Sequence, residues 1–221
     1  MRIIRIILPI AVLNNRAKAF ARYYTRKCCN FVEEVIVPTE KVEELLTSYN
    51  VYRNINVIPT GINLSKFYKG NYTKGQVEEV KERFGIKPGE KVILYLGRVS
   101  PEKNIEELMK ALPAYKKKRE NIRFVIVGAG PDIENLQQLC ESLSLQDTVI
   151  FAGEQPWDQI ALYYQLGDVF VSASQSETQG LTYFEAMAAG LPVVAKKDPC
   201  LEEILVDGYN GYAFETEEEL M

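Results

Sequence analysis

Residues 92–132, VILYLGRVSPEKNIEELMKALPAYKKKRENIRFVIVGAGPD, decide the fold. Two almost wholly apolar runs, VILYLG (92–97) and IRFVIVG (122–128), bracket an amphipathic stretch over 104–119, and each run ends in a turn that carries glycine. Runs this apolar suit strands buried on both faces, and the helical stretch between them supplies the crossover that parallel strands require. The alternation continues outward. Strands are expected at FVEEVIV (31–37), INVI (55–58), TVIF (148–151), DVFVSA (168–173) and PVVA (192–195), with helices over 40–49, 77–84, 133–144, 157–166, 181–189 and 201–206. The pattern is that of an α/β, doubly wound parallel sheet. IPTGIN (58–63) interrupts it and reads as a crossing or hinge, and 69–75 as a polar surface loop.

Composition narrows the chemistry. With 221 residues, 47% of them hydrophobic and 25% charged, the chain can bury one sizeable core, or one core plus an appendage. A net charge of −4 argues against general nucleic-acid binding, and the basic run 116–119 reads as a solvated helix end. There is no histidine, so acid/base or zinc chemistry built on imidazole is excluded for this chain alone. Cys28, Cys29, Cys140 and Cys200 show no C-x-x-C spacing and fit a reduced, cytosolic chain. The start, MRIIRIILPIAVL (1–13), resembles the front of a signal peptide but is interrupted by Arg5 and Pro9, and a buried strand or a truncated helix explains it as well.

In a doubly wound sheet, ligands sit outside the carboxyl ends of the strands, so GRVSPEKN (97–104), GAGPD (128–132) and SASQSETQG (172–180) are expected to converge on one crevice. Arg98 and Lys103 flank the turn at Pro101, and a guanidinium fork with a lysine point charge suits a diphosphate; the alternative is two exposed surface charges. The GAGP turn at Gly128 follows a strand, but Ile133 stands where a dinucleotide fingerprint needs its third glycine. A close backbone approach to a ligand and a plain tight turn are the better readings. Gly180 permits a sharp turn into a helix whose first N–H groups attract anionic oxygen. Glu177 falls in the loop before that turn and Glu185 inside the helix, so the two carboxylates reach different parts of an elongated ligand. Glu185 sits among Ala, Met and Leu and needs a partner if buried, either a pair of ligand hydroxyls or a neighbouring lysine. The chain has no Asp-x-Asp to hold a divalent metal against phosphates.

Together these segments resemble the C-terminal, nucleotide-sugar-binding half of a family 4 glycosyltransferase of the GT-B fold, which pairs two Rossmann-like domains. The resemblance rests on VIVPTEKVEELL (35–46), VIPTGINLSKF (57–67), LGRVSPEKNIEELMKAL (96–112), FVIVGAGPDIENL (124–136), VIFAGEQP (149–156) and SETQGLTYFEAMAAGLPVVA (176–195), followed by GYNGYAF (208–214). Its wording is most similar to bacterial diacylglycerol glucosyltransferases, which transfer glucose from UDP-glucose to a membrane lipid.

The resemblance implies that Arg98 and Lys103 bind and stabilise the leaving diphosphate, that Glu185 takes the ribose hydroxyls and that Glu177 contacts the donor sugar. Backbone at Gly180, Leu181 and Thr182 would reach sugar and phosphate, and the loop at Gly153 and Glu154 would face the base. It implies retention of configuration, a UDP-sugar substrate with no cofactor or metal, and cytoplasmic action, peripheral to the inner face of the membrane for the full-length enzyme. Residues 1–37 are then the remnant of an acceptor domain with its linker, and 38–221 a donor domain truncated at its end. The acceptor site would lie in the absent domain, leaving this chain inactive alone. Two readings compete: a non-catalytic nucleotide-sugar-binding module that needs a separate acceptor-domain chain, and a dehydrogenase built on the GAGP turn, which lacks the third glycine.

Overall fold

The structure, a computed structural model, describes residues 15–202 and 204–220. The apolar start, 1–13, lies outside them. The described chain forms two compact units, one made of the described residues up to Ile62 together with Ser176–Gln179, the other of Asn63–Gln175 and the described residues from Gly180 onward.

In the first unit, α1 (Asn15–Phe31), β1 (Glu34–Val37), α2 (Glu40–Ser48) and β2 (Asn54–Val57) follow in order, and β1 and β2 pair in parallel, Glu34 opposite Asn54, as a sheet of their own. Among the described residues its core gathers Cys29, Val37, Leu46, Tyr49 and Val51. Helix α1 buries Ala21, Thr25 and Cys29, spaced four apart along one stripe, and leaves Phe20, Tyr23, Tyr24 and Phe31 exposed.

The second unit carries a six-stranded sheet: β3 (Lys91–Leu96), β4 (Ile122–Val127), β5 (Val149–Gly153), β6 (Val169–Ser172), β7 (Val193–Lys196) and β8 (Gly211–Phe214). All its ladders are parallel, in the spatial order β5-β4-β3-β6-β7-β8. The side-chain period of two sends alternate residues of each strand to opposite faces. Leu94, Leu96 and Val125 pack with α3 (Lys74–Arg83), α6 (Ile160–Tyr164) and α7 (Leu181–Ala188). Tyr95, Phe124 and Ile126 pack with α4 (Ile105–Lys118), α5 (Ile133–Ser142) and α8 (Glu217–Leu220). Helices on both faces make this the expected doubly wound α/β sheet. After β5 the chain returns through α6 and inserts β6 on the other side of β3, so the strand order reverses between β3 and β6. That switch point is where such sheets open a crevice.

Two local expectations differ. The described residues of 201–206 are in no α-helix: Leu201 closes a short 3-10 turn, Pro199–Leu201, and turns follow at 202 and 204. Local side chains satisfy the backbone instead, Asp198 accepting from Cys200 N and Asn210 bridging Val206 N and Ile204 O. The segment GYAF, which reads as a motif rather than a strand, is the edge strand β8. Among the described residues no helix is long and apolar enough to cross a membrane.

Candidate functional site

At the carboxyl end of the large sheet, the loops after β3, β4 and β5 are tied together by main-chain bonds. Gly97 N donates to Val127 O at 3.0 Å, Val99 N to Ala129 O at 2.9 Å and Gly128 N to Gly153 O at 2.8 Å. Gly128 has φ +142°, and a Cβ there would lie 1.9 Å from Gly97 O; one at Gly130 would lie 1.9 Å from Val99 O. The GAG sequence is therefore needed for one backbone to pass against another, whatever ligand the loops meet. Gly153 and exposed Glu154 stand at the end of the third strand.

Arg98 is exposed and Lys103 half-buried, on the loop that leaves β3. Tyr95 donates its hydroxyl to Arg98 O at 2.8 Å, pinning the main chain at the arginine. A 3-10 turn, Pro101–Lys103, and Asn104 in the left-handed region (φ 51°) deliver the chain into α4. Between the cations, Glu102 accepts from Ser100 Oγ at 2.7 Å. Partial burial works to raise its carboxyl, but that hydrogen bond and the charges of Lys103 and Arg98 hold it below the ordinary range. Both cations thus act on one anionic group, as a diphosphate would require.

On the other side of the switch point, Gly180 (φ 65°) caps α7, with its Cα so close to the Tyr183 ring that a Cβ would meet Cδ2 at 2.5 Å. Leu181 and Thr182, both half-buried, form the first turn. Glu185 lies one turn on and is 5% exposed. Tyr164 of α6 donates its hydroxyl to Glu185 Oε2 at 2.8 Å, and among the described residues no lysine forms an ion pair with this carboxylate. Burial raises the Glu185 carboxyl above its ordinary value, although the Tyr164 hydrogen bond and the Lys66 charge pull the other way. Burial and the same carboxylate push the Tyr164 phenol well above its usual range. Lys66 also sits 3.7 Å from the centroid of the Trp157 ring, a cation–π contact that ties the loop after β5 to the turn before α3.

Glu177 belongs to the first unit. There Lys41 Nζ donates to Glu177 O at 2.8 Å and Thr39 Oγ1 to Thr178 O at 2.8 Å. Thr60 N donates to Gln179 Oε1 at 3.2 Å, and Gln179 Nε2 returns a bond to Thr60 O at 3.3 Å. The threonines of the VPTEK and IPTG segments thus hold the SETQG loop.

The second unit therefore gathers Arg98 with Lys103, Gly128 with Gly153, and Gly180, Leu181 and Thr182 with Glu185. Tyr164, Lys66 and Trp157 belong to this constellation but carry no sequence signal: a tyrosine, a lysine and a tryptophan on surface-type stretches look like packing or solvated residues until the chain folds. A cavity of about 560 Å³, lined by Arg22, Tyr23, Arg26 and Tyr49, belongs to the first unit and contains none of the expected site residues. Among the described residues no three carboxylate or cysteine groups are placed to hold a metal.

Residues 76–220 match the family model described as glycosyl transferases group 1. The chain is 39% identical over 202 residues to the alpha-monoglucosyldiacylglycerol synthase of Streptococcus pneumoniae, covering 91% of this chain and 46% of that protein. It is 38% identical over 211 residues to the synthase of the same name from Acholeplasma laidlawii, covering 94% and 52%. The chain thus spans about half the length of the curated relatives it matches. Anabaena HepE, solved with UDP-glucose, superposes with a TM-score of 0.78 at 22% identity over 92% of this chain and 57% of that one, a likeness of fold. The pneumococcal O-GlcNAc transferase GtfA, solved with UDP and GlcNAc, superposes with a TM-score of 0.69 at 25% identity over 89% and 38%. The six-stranded parallel sheet is that of one half of a GT-B glycosyltransferase.

Proposed function

Because the chain belongs to the glycosyl transferases group 1 family, we propose that its residues form the donor-binding part of a hexosyltransferase that takes glucose from UDP-glucose to diacylglycerol. The observation that carries this reading is Glu185: a buried carboxylate with one oxygen held by Tyr164, on the helix that starts at the switch point beside the strand leading to Arg98 and Lys103. Glu185 accepts the ribose hydroxyls. Arg98 and Lys103 hold the diphosphate, Glu177 contacts the sugar, and Gly153 and Glu154 border the base, with the backbone at Gly180, Leu181 and Thr182 against sugar and phosphate.

In the reaction, the bond from the anomeric carbon to the diphosphate oxygen breaks and the oxygen keeps the electron pair, while the acceptor hydroxyl oxygen bonds to that carbon and its proton passes to the departing diphosphate. Preorganised cations and the N–H groups opening α7 stabilise that developing charge, so no metal is called for; electrostatic terms of this kind are commonly the largest in catalysis. The sugar keeps its anomeric configuration. The names of the S. pneumoniae and A. laidlawii relatives support the lipid acceptor, and such an acceptor would bring the full-length enzyme to the inner face of the membrane. Acceptor binding and completed transfer belong to the whole enzyme and draw on the half of the relatives that this chain does not match.

Calorimetry with UDP and UDP-glucose tests the reading. The chain is expected to bind both, and Arg98→Ala and Glu185→Ala each to weaken binding by about tenfold to a hundredfold, the scale of a hydrogen bond to a charged group. A folded chain that binds neither nucleotide, or binding indifferent to both substitutions, would overturn it.

A further inference from the structure

Glu185 is unusual in how it is held. A glutamate at 5% exposure on an apolar helix would ordinarily be neutralised or paired with a cation, yet its hydrogen-bond partner is a tyrosine that is itself fully buried. The Tyr164 ring is fixed from two sides, edge-on to Phe67 at 5.5 Å between centroids and tilted against Phe170 at 5.9 Å. A phenylalanine would fill that space, so the hydroxyl must be explained by what it touches. Its one short bond goes to Oε2. Oε1 accepts from no described residue, and it is not among the sealed, unpartnered atoms of the described residues, where only Thr25 Oγ1 is found. The carboxylate therefore has one oxygen anchored inside the protein and one open to a ligand.

We propose that Tyr164 is the positioning residue for Glu185: its hydroxyl anchors Oε2, fixing the plane of the carboxylate so that Oε1 is presented to the ribose hydroxyls of the nucleotide. The inference rests on the donor-binding reading above and deepens it by naming the group that makes a buried carboxylate usable. A charge-assisted bond from a rigid phenol offsets part of the desolvation of the anion and removes the rotamer freedom that ligand binding would otherwise have to freeze. The pair also faces the Thr182 carbonyl, to which the Tyr164 hydroxyl makes a long contact at 3.5 Å, Lys66, on the turn before α3, which acts on Glu185, and Tyr95 of β3, which acts on Tyr164.

The test compares UDP with 2′,3′-dideoxy-UDP by calorimetry on the chain, on Tyr164→Phe, on Glu185→Gln and on the double variant. A site built to hydrogen-bond hydroxyls rejects the analogue that lacks them, so the chain is expected to prefer UDP by about 30-fold or more. Tyr164→Phe should lower that preference about tenfold through UDP alone, with dideoxy-UDP binding almost unchanged; a defect of packing alone would weaken both ligands equally. Removing the hydroxyl also removes an interaction that favours the ionised carboxylate, so the pH below which UDP binding fades should move upward. In the Glu185→Gln background, where no buried charge is left, Tyr164→Phe should cost UDP binding less than twofold more, the non-additivity expected of groups that act as one. If the single Phe variant does not fold, the comparison of Glu185→Gln with the double variant still decides: a loss under twofold supports the role and a tenfold loss overturns it. An unchanged preference and acid limit in Tyr164→Phe, or a further tenfold loss in the double variant, overturns the role of Tyr164 and leaves the ribose reading standing. Glu185→Gln with the full preference for UDP overturns the ribose reading and this proposal together.

Discussion

Glu185, the residue proposed to take the ribose hydroxyls, is costly for the fold. Its carboxyl is raised by burial, so the folded state binds a proton more readily than the unfolded chain does. A carboxyl shifted in that direction favours the fold at low pH and loses that contribution as pH rises from the unfolded pKa, about 4.3, through the folded one. At pH 7 the ionised, buried carboxylate is therefore a net cost. Glu185→Gln, which keeps an acceptor for Tyr164 without the charge, is expected to raise the midpoint of thermal unfolding at pH 7 by roughly 2–4 °C and to lose that advantage near pH 4. A Gln variant that melts lower at pH 7 in scanning calorimetry would mean that the charge supports the fold. From the sequence, the residue reads as needing either a lysine or a ligand. The structure supplies a third answer, a tyrosine 21 positions away, which no local pattern points to.

Among the elements, the apolar runs were legible and the exceptions have identifiable causes. VILYLG and IRFVIVG read as buried strands because burial on both faces leaves few polar positions, and both strands lie inside the sheet rather than at its edges. GYAF hides because it is an edge strand, with Tyr212 and Ala213 exposed and a glycine at its start. Helix α1 hides for a related reason: its buried stripe is Ala21, Thr25 and Cys29, while its aromatic residues face outward, so hydrophobicity alone marks the wrong side. The glycines of GAG were legible as a tight or closely approached turn, but only the neighbouring strand end shows that Gly97 is what approaches. Gly128→Ala must displace that backbone and hold a left-sided φ, and is expected to destabilise by about 3 kcal/mol in urea unfolding. Gly61→Ala, where a Cβ meets nothing within 4 Å, should stay within about 0.5 kcal/mol of the parent. Equal effects at the two positions would refute the backbone-contact explanation.

Over the whole molecule, the two units differ in what sustains them. The large sheet has helices on both faces and two extensive clusters of buried side chains, whereas among the described residues β1 and β2 pair only with each other, over a core of five buried side chains. Two-stranded sheets are marginal by themselves, and local opening follows the depth of packing. Hydrogen exchange followed by mass spectrometry should find β3, β4 and β6 the slowest to exchange, with β8 and the β1–β2 pair faster by about a hundredfold or more. Protection of β1–β2 equal to that of β3–β4 would contradict this order. The sequence by itself determined the alternation of strand and helix, the glycine turns at strand ends, the cations after VILYLG and the acidic helix-start segment, because periodicity and turn chemistry are local properties of the chain. The tertiary structure decided that β6 inserts beside β3, setting Ile93 against Val169, and that Glu185 is held by Tyr164 under the influence of Lys66. Strand order and the partner of a buried charge depend on contacts between segments far apart in the chain, which burial selects only once the sheet has formed.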